Sequence, residues 1–147
     1  MSLPEQIMSD MKEAMKARDK VKLNTVRMIK SALMNEKIKA GHDLTPEEEL
    51  TVLSREKKQR EESIEEFAKA NRNDLVAETK QELAIVEDYL PKQLSKEELN
   101  EAAASAIAEV NAHDKSDFGK VMKVLMPKIK GKADGKAASA AVRDQLS

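Results

Sequence analysis

Lysines and glycines crowd one stretch near the C-terminal end of the chain, and their chemistry suits the binding of phosphate groups. Between Lys115 and Lys136 there are seven lysines and only two acidic residues, Asp117 and Asp134. This stretch therefore carries a local charge of +5 in a chain whose net charge is −1. Ammonium groups and free backbone N–H groups at helix ends can hold phosphates together. We predict nucleic-acid phosphate binding here, with a protein-contact surface and a plain connector as the alternatives.

The predicted site combines lysines that supply charge with glycines that let the backbone come close to a ligand. Its members are Lys120, Lys123, Lys128, Lys130, Gly131, Lys132, Gly135 and Lys136. Lys120 and Lys123 lie one turn apart on the preceding helix, where the alternative is that their stems cover the core. The loop does not match a nucleotide-hydrolysing phosphate loop, because its glycines are four residues apart and Ala137 stands where Ser or Thr would bind magnesium. We therefore expect passive phosphate binding.

A second basic cluster lies near the start of the second predicted helix, at Lys20, Lys22, Arg27 and Lys30. Cations are unfavourable at a helix N-terminus, so these side chains need a partner. Pairing with the glutamates of the third predicted helix is favoured, and an external anionic ligand is the alternative. Lys57 and Arg60 interrupt an apolar stripe of that third helix and present the same choice. Internal salt bridges are favoured for them, because an unpaired buried charge is costly.

Residues for catalysis or metal binding are scarce. The chain has no cysteine, and its two histidines, His42 and His113, fall in turn-like segments. Adjacent carboxylates such as Glu61 and Glu62 point to different sides of a helix, so they do not form a two-carboxylate site. We predict no catalytic residue, no metal site and no cofactor.

Helical patterns fill the whole chain, and no strand-like alternation is present. Charged residues make up 36% and aromatic residues 2%, so the core must consist of aliphatic side chains and methionines. Pro91 and Pro127 are expected to end or kink helices, and Gly41 to stop one. Helix N-caps are predicted at Ser2, Asp19, Thr45, Ser95 and Asp134. The predicted fold is all-α, with an N-terminal bundle at 1–91 and a less stable, alanine-rich three-helix domain at 92–147.

Methionines and aromatic residues fall on apolar helix faces. The methionines of the first helix are expected to pack in the core in preference to forming a partner groove, namely Met8, Met11 and Met15. Phe67, Tyr89 and Phe118 lie on apolar stripes and leave no platform for base stacking. Any RNA contact is therefore expected to involve the backbone and shape of the RNA.

Composition also bears on location. Near-balanced charge argues against wholesale nucleic-acid or membrane binding, so such a role must be local. No apolar stretch approaches the roughly 20 residues that span a bilayer, and no membrane partner is expected. The first residues lack the basic flank and apolar block of a secretory signal. The sequence therefore predicts a cytoplasmic protein.

Several blocks of the sequence, in order, resemble a known family. They include Leu23-Asn24-Thr25-Val26-Arg27-Met28, Tyr89-Leu90-Pro91-Lys92-Gln93-Leu94-Ser95, Gly119-Lys120-Val121-Met122 and Lys130-Gly131-Lys132-Ala133-Asp134-Gly135-Lys136. These blocks identify the chain as similar to the YqeY-like proteins, small bacterial proteins of the GatB/YqeY group. The resemblance covers essentially the full length.

The resemblance implies an all-helical, two-part fold whose C-terminal half is similar to the tail domain of GatB. GatB is a subunit of the glutamine-dependent amidotransferase that acts on misacylated tRNA, and its tail touches tRNA. The expected function is a non-catalytic accessory protein that binds tRNA or tRNA-like RNA. The alternative is a module that docks on an amidotransferase or another protein. A carbon–nitrogen ligase with glutamine as amide donor is a weaker third, since no residues for that reaction are evident.

Overall fold

The structure, a computed structural model, describes residues 1–146 and is all-α, which confirms the predicted fold class. No strand occurs within those residues, and none of their helices is both long and apolar enough to cross a membrane. The chain divides into two compact units, Met1–Leu90 and Pro91–Ser147.

The N-terminal unit is a four-helix bundle. Its helices are α1 (Leu3–Ala17), α2 (Lys20–Ala40), α3 (Pro46–Lys69) and α4 (Asn73–Glu87). α1 packs against α2, α3 packs against α4, and α2 also contacts both α3 and α4. The helices bury a core of aliphatic residues, among them Ile7, Val26, Ile29, Leu53 and Val86.

Short-range hydrogen bonds begin the helices at the predicted residues. Asp19 accepts the Lys22 N–H at 3.1 Å and caps α2. Thr45 and Glu48 form a reciprocal capping box at the start of α3, with distances of 3.2 and 2.9 Å. Gly41 ends α2 in the left-handed region at φ +77°, where a residue without Cβ is favoured.

Charged side chains inside the N-terminal bundle pair with one another, as the sequence favours. Arg60 is buried, and its guanidinium lies 3.6 Å from a Glu56 carboxylate oxygen and 3.5 Å from a Glu82 oxygen. Lys57 lies 3.4 Å from Glu61. These contacts offset the cost of removing the Arg60 charge from water.

The last turn of this unit is tied to its first helix. The Tyr89 hydroxyl donates to Asp10 of α1. Burial, followed by this bond to a carboxylate, raises the pKa of Tyr89. α4 itself ends at Glu87, although the sequence extends its apolar face to Leu90. The following Pro91 disfavours helical backbone at Leu90, which is nevertheless buried.

The C-terminal unit consists of α5 (Lys96–Glu109), a 3-10 turn (Lys115–Asp117), α6 (Phe118–Ile129) and α7 (Gly135–Gln145). Its three helices all contact one another. Alanines occupy central positions of the core, since Ala103, Ala106 and Ala138 are fully buried. Side chains this small let helix backbones approach closely.

α6 continues past Pro127 to Ile129, so of the two predicted effects of Pro127, an end or a kink, the helix does not show the end. Pro127 stands in the last turn, where its missing N–H removes only one hydrogen bond of the helix. Lys128 consequently lies on α6 and not in the loop that follows.

The prediction of core packing is wrong for two methionines of α1. Met8 and Met15 are 44% and 56% exposed, whereas Met11 packs against the core. The buried stripe of α1 runs through Ile7 and Ala14. Met8 and Met15 each follow one of these residues and are therefore rotated about 100° away from the core.

Candidate nucleic-acid-binding surface

The basic loop after α6 has a shape fixed by hydrogen bonds. Gly131 is buried and adopts φ +76°, the left-handed region that favours glycine. The Gln93 side-chain amide donates to the Gly131 carbonyl at 2.7 Å, and the Leu94 N–H donates to the Lys132 carbonyl at 2.8 Å. The segment before α5 therefore holds the loop in place.

The start of α7 packs on the end of α6. Asp134 caps α7 by accepting the Lys136 N–H at 3.3 Å, as predicted. A Cβ added to Gly135 would lie 3.4 Å from the Met126 methyl group. This close approach places the α6 turn around Met126 against the start of α7.

Three lysines of this surface extend into solvent without an acidic partner. Lys123 on α6, Lys132 in the loop and Lys136 on α7 are exposed. In the described residues, no carboxylate oxygen lies within 4.0 Å of any of these ammonium groups. These three ammonium groups are therefore accessible to an anionic ligand.

The other predicted lysines have neighbours. Lys120 lies 3.8 Å from Asp117, and Lys128 lies 2.6 Å from Glu109 of α5. Asp117 is half-buried and the other three side chains are exposed, and ion pairs at the surface contribute little to stability. Lys130 is half-buried and already has an interaction partner. The eight predicted residues are therefore not equally accessible, because Gly131 is buried and the ammonium groups of the lysines differ in their neighbours.

Phe118 at the start of α6 does not offer a free stacking face. It is half-buried, and the Arg143 guanidinium of α7 lies 4.9 Å from its ring centroid. This cation–π contact places a further basic group on α7 that the sequence reasoning missed. No local pattern signals it, because the two residues are 25 positions apart.

Gln93 is another residue that sequence reasoning missed. Its amide donates to both the Pro91 carbonyl at 2.9 Å and the Gly131 carbonyl. The second acceptor is 38 residues away in sequence, so only the fold identifies the partner.

The second predicted basic face, comprising Lys20, Lys22, Arg27 and Lys30, lies on α2. Within residues 1–146 none of these four side chains forms an ion pair, so the favoured pairing with α3 glutamates is absent. The single acidic residue of α2, Glu36, pairs with Arg55 of α3 at 3.6 Å. The buried residues Val26 and Ile29 face the bundle. Arg27 is exposed and faces away from it.

In the part of the chain that the structure describes, no three His, Asp or Glu side chains lie close enough together to bind a metal ion.

Comparison with known proteins places the whole chain in one family. Residues 4–146 match the family described as Yqey-like protein. Three relatives carry the same name, "Altered inheritance of mitochondria protein 41, mitochondrial". The Pyrenophora tritici-repentis protein is 30% identical over 86% of this chain and 71% of its own length. The Kluyveromyces lactis protein is 31% identical over 94% and 76%. The Lachancea thermotolerans protein is 40% identical, but over only 55% of this chain and 44% of its own.

These comparisons correct one prediction and leave another unsupported. The predicted cytoplasmic location is wrong, because the relatives are named as mitochondrial proteins. All three are fungal, so they lend no support to the expectation of a bacterial protein. The family match over residues 4–146, together with identities of 30% and 31% over most of the chain, shows that the chain belongs to the Yqey-like protein family.

Proposed function

We propose that the C-terminal unit binds the phosphate backbone of tRNA or of a tRNA-like structured RNA, without catalysing a reaction. The observation that carries this proposal is the group of three exposed lysines without acidic partners: Lys123, Lys132 and Lys136. They lie on α6, the loop and α7, which meet at the Met126–Gly135 contact. When phosphate groups bind these lysines, mobile counterions are released, and the entropy gained by those ions favours binding.

The fixed shape of the loop supports binding of a folded RNA. Gln93 and Leu94 donate hydrogen bonds to the Gly131 and Lys132 carbonyls. The loop is therefore already ordered, and it loses less conformational entropy when a ligand binds. Lys120 and Lys128 are themselves exposed and add charge, because surface ion pairs such as theirs compete weakly with phosphate. With Phe118 covered by Arg143, recognition proceeds through backbone and shape and not through base stacking.

We name tRNA as the ligand because the Gly119–Lys136 block is similar to the GatB tail domain. In that amidotransferase the tail touches tRNA, while the chemistry belongs to other parts of the enzyme. An accessory role in tRNA-dependent amidation follows for this chain, with docking on an amidotransferase or another protein as the alternative. Because the relatives are named as mitochondrial proteins, the binding experiment should use mitochondrial tRNA as well as bacterial tRNA.

The test is a salt series of tRNA binding, with wild type compared with a Lys123→Glu/Lys132→Glu/Lys136→Glu variant. We expect wild-type affinity to fall with salt, and the variant to lose at least about tenfold at low salt. The slope of log affinity against log salt should become shallower by about two to three ions.

A matched control reverses three exposed lysines elsewhere, Lys16, Lys58 and Lys80, and so changes the net charge equally. It should retain more affinity than the surface variant. Equal losses in the two variants would mean unspecific attraction, and no wild-type binding at low salt would refute the proposal. Circular dichroism establishes that all three proteins remain helical.

A further inference from the structure

An apolar groove lies on the N-terminal unit, between the exposed flanks of α1 and α2. Pro4 and Met8 of α1 form one wall, Lys30 and Met34 of α2 form the other, and Leu44 contributes from the loop before α3. Its volume is about 500 Å³. This value lies in the range of sites that bind a ligand or a partner side chain.

Three of the six large apolar side chains that are exposed on this unit line the groove and its continuation. Met8 is 44% exposed, Met34 52% and Ile38 75%. Met34 and Ile38 are one turn apart on α2, and a shallow depression next to the groove is lined by both. Contiguous exposed apolar surface marks an interaction site more often than an isolated exposed residue does. Methionine side chains suit such a surface because they adapt to the shape of a partner.

Charge on the α2 wall has one sign. α2 contains six basic residues and one acidic residue, Glu36, which is turned towards α3 by its pair with Arg55. Lys30 has no carboxylate within 4.0 Å in residues 1–146, and its ammonium donates only to the Met8 sulfur at 3.6 Å. Arg27 does not line the groove but lies one turn before Lys30, and it also lacks an acidic partner in that range.

The opposite end of the groove contains two carboxyl groups, those of Asp43 and Glu49. Asp43 is paired with Lys37 at 2.9 Å. Glu49 lines the groove, and burial raises the pKa of its carboxyl group. The groove thus combines an apolar floor with one ammonium group on its α2 wall, that of Lys30, which has no acidic partner in the described residues.

We infer that this groove binds an amphipathic helix of a partner protein, with apolar side chains between Met8 and Met34 and acidic side chains facing Lys30 and Arg27. Helices bind other proteins in this way when an apolar groove has a charged edge. RNA would gain nothing from exposed methionines. A lipid bilayer would favour a protruding apolar face over a concave one. The site lies on the other unit from the proposed RNA surface, so either proposal can fail alone.

Methionine-methyl NMR tests the inference on the full chain. The probe is an 18-residue amphipathic helical peptide with leucines on one face and glutamates beside them, and its control replaces each glutamate by lysine. We expect the acidic peptide to shift the Met8 and Met34 methyl signals. The Met122 and Met126 signals of the C-terminal unit should stay in place and act as an internal control.

The variant Lys30→Glu should weaken binding of the acidic peptide about tenfold and strengthen binding of the basic one. Lys58→Glu makes the same charge change at an exposed site on α3 and should leave both affinities within about twofold. Unshifted Met8 and Met34 signals would overturn the inference, as would equal binding of the two peptides. Anionic vesicles or tRNA that move these signals when the peptides do not would assign the groove to a membrane or to RNA instead.

Discussion

The N-terminal unit buries large aliphatic side chains together with an ion cluster, whereas the C-terminal unit fills much of its core with alanine. All buried polar or charged side chains among residues 1–146 belong to the N-terminal unit: Thr25, Glu56, Arg60 and Thr79. Its longest helix has 24 residues, against 14 in the other unit. The groove and the buried charges belong to the unit with the longer helices and the larger core side chains. In the unit packed through alanine, the unpaired basic groups lie outside the core.

The largest expected effect comes from breaking the ion cluster of the N-terminal unit. Arg60→Ala leaves the Glu56 and Glu82 carboxylates without their buried partner, and removing one member of a buried pair costs about 3–5 kcal/mol. Urea unfolding followed by tyrosine fluorescence measures this loss, because Tyr89 is the single tyrosine of the chain and lies in this unit.

Arg72→Ala is the matched control, because the Arg72–Asp74 pair is exposed. It should leave the midpoint of unfolding unchanged. Arg60→Met combined with Glu56→Met should recover part of the stability, since no charge of that pair is then left unpaired. An Arg60→Ala variant as stable as wild type would show that the cluster contributes nothing to the fold.

A smaller effect is expected from overfilling the C-terminal core. Ala106→Leu adds three carbon atoms where the side chain is fully buried between helices, and overpacking of this kind costs about 1–3 kcal/mol. Far-UV circular dichroism should show earlier unfolding of part of the helix signal. Tyrosine fluorescence should keep its midpoint if the two units unfold separately.

Ala104→Leu on the exposed side of α5 controls for helix propensity, and it should not destabilise the protein. Loss of stability in both alanine variants would contradict the view that close helix approach is what Ala106 provides. A shift of the tyrosine midpoint with Ala106→Leu would show that the units unfold together.

The smallest effect concerns pH and has opposite signs in the two units. Hydrogen bonding from the Ser95 backbone and hydroxyl groups holds the pKa of Glu98 below its usual 4.5. The capping box of α5 therefore stabilises the fold above that value, and its contribution is lost as pH falls through the lowered pKa. Burial raises the pKa of Glu49, so its contribution is full below 4.5 and is lost as pH rises through the raised pKa.

Glu98→Gln should flatten the acid side of the stability profile of the C-terminal unit, while Glu49→Gln should raise the stability of the N-terminal unit at neutral pH. Urea midpoints at a series of pH values measure both. Glu97→Gln, next to the capping residue and exposed, serves as control. An unchanged acid profile in Glu98→Gln would assign acid sensitivity to other carboxylates.

Features that depend on residues three or four positions apart could be predicted from the sequence. Asp19, Thr45 and Ser95 cap helices as predicted, because the cap and the N–H that it accepts lie within one turn. The internal pairing of Arg60 was also predictable, since a charge within an apolar stripe requires partners.

Features that depend on distant residues could not be predicted. Nothing in the sequence shows that Lys128 meets Glu109, 19 positions away, or that α2 turns its single acidic residue towards α3. Met8 and Met15 are exposed because α1 buries the face that carries Ile7 and Ala14. The spacing of the methionines does not show which of the two adjacent faces is buried. RNA binding by the basic surface stays a prediction.

The hydrogen bonds of Gln93 determine where the chain can be cut into separate parts. Residues 91–94 have the composition of a linker, yet two of them hold the basic loop through Gly131 and Lys132. A fragment that starts at Pro91 keeps this support, whereas one that starts at Leu94 keeps every lysine of the surface but loses the Gln93 amide. Because the shorter fragment also lacks Lys92, a Gln93→Ala substitution within the longer fragment separates the contribution of loop shape from that of charge.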